Sequence, residues 1–457
     1  MTGHTPCHIF IKRIYRKETG DIMANNTKTY ISERLEKNGY VNGIYIPWFQ
    51  GKWYGRDIGT TFYGNNAGEC CFNEKYIRKT FYNARMMGYE MAKIWLNEAF
   101  EGMLYDEKGT VIGVEPLFLQ NLERLYQIAR DVDLNISICL FDHCECSFTG
   151  NKFEYDKHTR FMQVPSETDK YIKNYVYPIL ELSRKYGVEL VDIYAEPEAD
   201  GAIWNVTRGM AWKSMKRFIN QVAKAVKEFD PRFATTVSSG SSYSTILGGY
   251  YSDVDVDFYG CDIYNDAGAF ADTREMLLER PLMLGEYGVG NYANKTDDEQ
   301  IEVLKKYYAN FEKFGVAGGF YWCYGWAGGG GEMHIVNKEG ELRKTAAYLR
   351  FRSIDVENAR KGVTEKDVPC LVITDSTDNI QWFGARGATE YLLECQTPDG
   401  FVEVDRVKQE EYDEFPDILH SAHADAGEFE TYRVTAFFAD GSSTVSPLLT
   451  LEKKVTF

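Results

Sequence analysis

The feature that most constrains this chain is a repeated alternation. From about Val41 to about Arg352, apolar runs of strand length alternate with longer amphipathic stretches. A parallel strand pair needs a crossover long enough to hold a helix, so this texture asks for βαβ units. Eight strands are expected, at Val41–Trp48, Met91–Leu96, Asn135–Phe141, Val188–Tyr194, Arg232–Ser239, Val254–Tyr264, Pro281–Tyr287 and Gly315–Trp322. Between them, Met215, Phe218, Ile219, Val222 and Val226 recur at steps of three and four, which makes one helical face. A second helix is expected where Asp297 and Asp298 open DDEQIEVLKKYYANFEKF, since acidic residues favour a helix N-terminus. Eight such units over about 300 residues fit a (β/α)8 barrel, an α/β fold. A doubly wound open sheet is the runner-up, but no glycine-rich phosphate fingerprint follows the first strand.

After Val356 the texture changes. ENARKGVTEKDV is charged and lacks an apolar face, so residues 356–366 read as a linker. Residues 367–457 read as short strands separated by turn signals, which is the pattern of a small all-β, immunoglobulin-like sandwich. Residues 31–355 are then the barrel, and residues 1–30 an N-terminal extension.

Composition narrows the partners. The formal net charge of −17 argues against nucleic acid, whose phosphates need a basic stripe, and against anionic membrane surfaces. No stretch is apolar and long enough to span a bilayer, and the N-terminus lacks a signal-peptide core. A cytoplasmic location is expected, with secretion open if the true start differs. The ten cysteines read as reduced thiols. Asp142, His143 and Glu145 lie beside the Cys144/Cys146 pair, but no second ligand pair follows at zinc-site spacing. No metal or organic cofactor is expected. Aromatic residues reach 15%, more than core filling needs, and flat apolar rings suit sugar faces. Trp48, Trp53, Trp95, Trp204 and Trp326 fall in or beside strand-end loops, where some would stack on sugar and some fill core.

Working residues of a barrel project from the C-terminal strand ends. The fourth strand ends in VDIYAEPEAD, with Glu196 and Glu198 directly after it, and the seventh ends in LMLGEYGVG, with Glu286 at its tip. A lone loop glutamate is ordinarily a solvated residue. Two at strand ends four and seven would instead face each other across the mouth, which is what glycoside hydrolysis requires. One carboxyl protonates the leaving oxygen, and the other attacks the anomeric carbon. Glu286 is expected as nucleophile and Glu196 as acid/base. Glu198 is the alternative acid, disfavoured because Pro197 fixes the turn after Glu196.

On these motifs the barrel resembles clan A glycoside hydrolases, closest to the family 5 cellulase-like enzymes, from the first strand to the eighth. That clan carries an Asn-Glu-Pro motif after strand four and its nucleophile at the end of strand seven. Ala195-Glu196-Pro197 and Gly285-Glu286-Tyr287-Gly288 match them. The resemblance further implies that His143 lies at the substrate subsite, that Tyr264 hydrogen-bonds the nucleophile, and that Trp322 forms the floor under the reacting sugar. Asn97, Trp48, Asp262 and Trp326 join these as expected substrate contacts; the glycine run after Trp326 reads as a cleft edge. Three positions depart from the clan. Ala195 replaces its Asn, Asp262 replaces the strand-six His, and MAKIWL lacks the strand-two Arg, with Lys93 nearby. IQWFGARGATEYLLECQTPDG and FETYRVTAFFADGSSTVSP resemble fibronectin type III domains, which implies that Trp382, Tyr391 and Tyr432 pack the inter-sheet core. The expected function is retaining hydrolysis of β-linked oligo- or polysaccharides. The alternative is a catalytically silent carbohydrate-binding barrel, motivated by Ala195 and the missing Arg.

Overall fold

The computed structural model describes residues 28–49, 57–60, 70–96, 100–142, 156–200, 210–240, 249–264, 281–289, 295–325, 334–337, 340–374, 380–409, 416, 418–421 and 429–452. Among the described residues up to 361 there are ten strands: β1 (Val41–Tyr45), β2 (Met91–Trp95), β3 (Met103–Tyr105), β4 (Val111–Val114), β5 (Asn135–Cys139), β6 (Leu190–Ala195), β7 (Ala234–Ser239), β8 (Phe258–Ile263), β9 (Met283–Tyr287) and β10 (Gly318–Tyr321). Eight of them, β1, β2 and β5 to β10, close a parallel barrel in chain order, with β10 pairing back onto β1. All eight expected strands are present, each shorter than its apolar run. The remaining two, β3 and β4, form an antiparallel hairpin between the second and third barrel strands, which the sequence reading did not foresee.

Alternation along the strands sorts two packing layers. Val41, Tyr45, Met91, Trp95, Cys139, Leu190, Ala234, Phe258, Met283 and Phe320 pack together inside the barrel. Their neighbours Ile44, Ile94, Ile138, Val191, Val237 and Leu284 pack outward against helical residues such as Phe218, Ile219 and Leu304. The helix Trp212–Phe229 buries the Met215, Phe218, Ile219, Val222 and Val226 face. The helix Asp297–Phe314 starts from a capping box between Thr296 and Glu299 and stops at the left-handed Gly315.

The barrel interior also holds an ion pair. Lys93 of β2 meets Asp192 of β6 at 2.6 Å, with both side chains almost wholly enclosed. A buried pair persists only when its remaining hydrogen-bonding capacity is met. Ser238 of β7 donates to Asp192 at 2.6 Å, and Lys93 also donates to Ser238 Oγ at 3.3 Å and to the Gly285 carbonyl at 3.4 Å. Burial acts to lower the Lys93 pKa, but Asp192, then Cys139, Asp262 and Glu286, hold it above its ordinary value.

The expected linker is partly helical. The helix Lys344–Lys361 runs through its first residues and ends at left-handed Gly362. Its inner turns bury Ala346, Ala347, Leu349 and Phe351, so charged later turns continue a helix already anchored. Beyond it come β11 (Cys370–Leu371), β12 (Ile380–Phe383), β13 (Ala388–Thr397), β14 (Gly400–Lys408), β15 (Ile418–Ser421), β16 (Phe429–Phe438), β17 (Ser443–Val445) and β18 (Leu449–Glu452). They form two antiparallel sheets, β11-β12-β15 and β14-β13-β16-β17, with β18 also on β16. Trp382, Tyr391 and Tyr432 are buried in one core with Leu371, Leu393 and Val434. Cys370, Val372 and Phe383 instead join the outer apolar cluster of the barrel. Asn83, on the barrel helix Glu74–Met86, closes the seam. It donates to the Ile373 carbonyl at 2.8 Å and accepts from the Ile373 N–H at 2.9 Å.

Candidate active site

The C-terminal ends of the barrel strands carry acids and aromatic rings. Their described residues include Asp142, Glu196, Glu198, Asp262 and Glu286, with no Lys or Arg among them. Glu286 lies in β9 beside Asp262 of β8, its register partner. Tyr264, just past β8, donates its hydroxyl hydrogen bond to Glu286 Oε2. Burial first, then the charge of Glu286, pushes the Tyr264 phenol well above its ordinary range, so it stays a donor. Gly285 must be glycine, because a Cβ there would overlap Ser238 and Asp262 Oδ1.

Glu196 is placed by an irregularity in β6. The β6–β7 register shifts between Asp192 and Ala195, which then pairs with Ser238. Glu196 follows with φ 55°, a left-handed backbone that costs a side-chain-bearing residue about 1–2 kcal/mol. Its N–H donates to the Ser238 carbonyl at 2.7 Å. Just past the neighbouring β7, a Cβ on Gly240 would overlap the Glu196 side chain, so this glycine makes room for the carboxyl. Glu196 is partly exposed.

Glu198 sits differently. It lies in the short helix Pro197–Asp200 and is fully buried. Its carboxylate accepts hydrogen bonds from Ser239, from Tyr251 at 2.7 Å and from the Gly240 N–H at 3.4 Å. Burial raises its pKa, and these donors oppose the rise.

Four rings line the part of the mouth at β1, β2 and β10. Trp322 lies 5.0 Å from Tyr45, 5.6 Å from Trp95 and 5.9 Å from Trp48, ring to ring. The Trp322 N–H donates to the Tyr287 carbonyl at 2.8 Å, which ties it to the strand of Glu286. The peptide bond between Trp322 and Cys323 is cis. Trp48, Tyr264, Asp262 and Trp322 thus gather with Glu196 and Glu286. His143, Asn97 and Trp326 lie outside the described residues, as do Trp53, Trp204 and most of the cysteine-flanked acidic motif.

Sequence reasoning gave no role to Lys93, Asp192, Ser238 or Tyr45. A signal existed for the first two, since a lone charge inside an apolar barrel strand implies a partner in the bore. Asp262 has a second property that sequence could not show. Both its carboxyl oxygens are buried with no hydrogen-bond partner among the described residues, as are Tyr45 Oη and Trp95 Nε1. Burial, then Glu286 and Glu196, drives its carboxyl well above the carboxylate range, with Lys93 opposing.

No family model matches the sequence, and no curated protein matches it. Solved structures do. An endo-β-1,4-mannanase from Thermotoga petrophila is 15% identical, covers 92% of this chain and 99% of its own, and superposes with a TM-score of 0.50. A β-1,4-mannanase from the sea hare Aplysia kurodai is 17% identical over 70% of this chain and 92% of its own, with a TM-score of 0.48. At such identities the likeness is one of fold, and the first match supports an eight-stranded parallel barrel followed by antiparallel sheets.

Proposed function

We propose that the chain is a retaining β-glycosidase, with Glu286 as nucleophile and Glu196 as acid/base. The observation that carries this reading is the placement of both glutamates at the mouth, with a tyrosine hydroxyl aimed at one of them. Glu286 attacks the anomeric carbon, and Tyr264 orients the attacking carboxylate. Glu196 passes its proton to the leaving glycosidic oxygen. Ionised, it then draws a proton from water, which attacks the glycosyl-enzyme and releases the sugar with its original configuration. Glu198 is a poor acid here because its oxygens are taken by Ser239, Tyr251 and Gly240. Trp322 and Trp95, each slightly exposed, are the rings a sugar face would reach, with Trp48 packed behind them. The T. petrophila mannanase likeness makes β-1,4-mannan the first polymer to try, and we read the C-terminal sandwich as fibronectin type III-like.

A panel of aryl β-mannosides, glucosides and glucuronides tests the reading, with proton NMR of the first anomer released. The β anomer is expected first, and Glu286→Ala should lower turnover on every member by at least about a thousandfold. Saturable sugar binding without turnover on any member would favour the silent barrel.

A further inference from the structure

Asp262 is a carboxyl that no described residue hydrogen-bonds. It is 3% exposed, faces inward at the end of β8, and neither oxygen has a hydrogen-bond partner among the described residues. Its register partner on β9 is Glu286. Glu196 bears on it from the end of β6, as do Asp192 and Lys93 from within the bore. Tyr264 and Cys261 flank it on its own strand, and the Tyr251 phenol feels its charge. The only cation in this set is Lys93, and Lys93 is closed against Asp192 at 2.6 Å. Two adjacent buried carboxylates cannot both ionise without a counter-charge. If Glu286 is the ionised member, as nucleophilic attack demands, Asp262 keeps its proton. A neutral carboxylic acid then offers one donor and one acceptor to whatever lies against Glu286. On the β1–β2 side of the mouth, Tyr45 Oη and Trp95 Nε1 are likewise buried and without a partner among the described residues, so a hydroxylated ligand would find polar groups on both sides.

We propose that Asp262 works as an un-ionised acid that donates a hydrogen bond to the sugar held against Glu286, and that its ionisation sets an alkaline limit on glycosylation of the enzyme. This rests on the glycosidase reading above. As pH rises, Asp262 loses the proton it donates and adds a negative charge beside the nucleophile. Both changes weaken binding of the sugar in its reacting position. An asparagine keeps a neutral donor and acceptor at nearly the same place, whereas an alanine keeps neither.

Glu196 as general acid produces an alkaline limb of its own, so the test removes it. In the full chain carrying Glu196→Ala, a 2,4-dinitrophenyl β-glycoside of the best sugar from the panel loads the enzyme without a proton donor. The kcat/KM of this variant should still fall at alkaline pH. Adding Asp262→Asn should abolish that fall or move it up by at least one pH unit. Adding Asp262→Ala should lower kcat/KM about 10- to 100-fold at pH 7, the usual cost of a lost buried hydrogen bond to substrate. Carbon-13 labelling of aspartate Cγ, assigned with Asp262→Asn, reads the protonation state of wild-type Asp262 directly. An ionised Asp262 at pH 7 overturns the proposal, and so does a Glu196→Ala alkaline limb indifferent to Asp262→Asn. If no glycoside is turned over at all, the glycosidase reading fails, while the carbon-13 titration still decides whether this carboxyl keeps its proton.

Discussion

Glu196 and Glu198 stand two residues apart at one strand end, yet the fold treats them in opposite ways. Glu198 is a structural acceptor for buried Ser239 and Tyr251. Glu198→Ala would leave those hydroxyls without their acceptor, at a cost of about 1–3 kcal/mol, seen as a lower midpoint in urea unfolding. Glu196→Ala removes a partly exposed side chain from a left-handed residue, so its unfolding midpoint should change much less. Its turnover of glycosides with poor leaving groups should fall about 10²- to 10⁴-fold. Azide should then restore turnover of activated glycosides and yield the β-glycosyl azide. The opposite assignment of unfolding and rescue to these two residues would reverse their roles. At this scale the strand-end placement of Glu196 and Glu286 was legible in the sequence, because the end of an apolar run and the local motif pointed to each. The choice between Glu196 and Glu198 was less so. Burial and hydrogen bonding separate them, and both depend on Ser239, Gly240 and Tyr251, about 40 to 55 residues further along the chain.

Among the elements, β2, β6 and β7 do more than form a wall. Lys93, Asp192 and Ser238 join them inside the bore, and the Ser238 carbonyl holds the Glu196 N–H while Lys93 reaches the carbonyl before Glu286. Lys93→Met alone would strand Asp192 as a buried unpaired charge and should cost about 3–5 kcal/mol by chemical denaturation. Lys93→Met combined with Asp192→Leu should recover most of that loss, since an apolar pair of similar volume replaces the ions. If the double variant were as unstable as the single one, the pair would not be the source of the cost. The eight barrel strands were readable because strands buried on both faces are continuous apolar runs. The β3–β4 hairpin was not, because three- and four-residue strands leave too short a pattern to detect. The tail of the helix Lys344–Lys361 was misread for a related reason: its buried anchors lie in the first half, and a charged continuation looks like linker in isolation.

At the scale of the whole molecule, barrel and sandwich meet through side chains that serve both. Asn83 bonds the Ile373 backbone twice and also donates to the Tyr324 hydroxyl at 3.2 Å, two residues past Trp322. Asn83→Ala should lower stability by about 1 kcal/mol, because it leaves the part-buried Ile373 backbone groups without their partner. It should also loosen the Trp322 segment, which a change in intrinsic tryptophan fluorescence would register. An unchanged unfolding midpoint would mean that the seam contributes little. Arg350 adds a hydrogen bond to the Val368 carbonyl at 3.1 Å, and Arg386 of the sandwich pairs with Asp355 at 2.8 Å. Two-layer packing inside the sandwich was visible in its alternating strands, but its seam with the barrel was not, since Cys370, Val372 and Phe383 read as ordinary sandwich residues. That shared cluster has a consequence for synthesis. The ribosome finishes the last barrel helix before the residues that cover its apolar flank exist. β11 and β12 emerge within the next two dozen residues, whereas β16 and β18 follow about 9–14 s later at a slow elongation rate of about 5 residues per second. During that interval the nascent barrel is capped by the β11–β12 pair alone, still without β15 and without the facing sheet, so slowing elongation after Phe383 prolongs its exposure to aggregation and to chaperones.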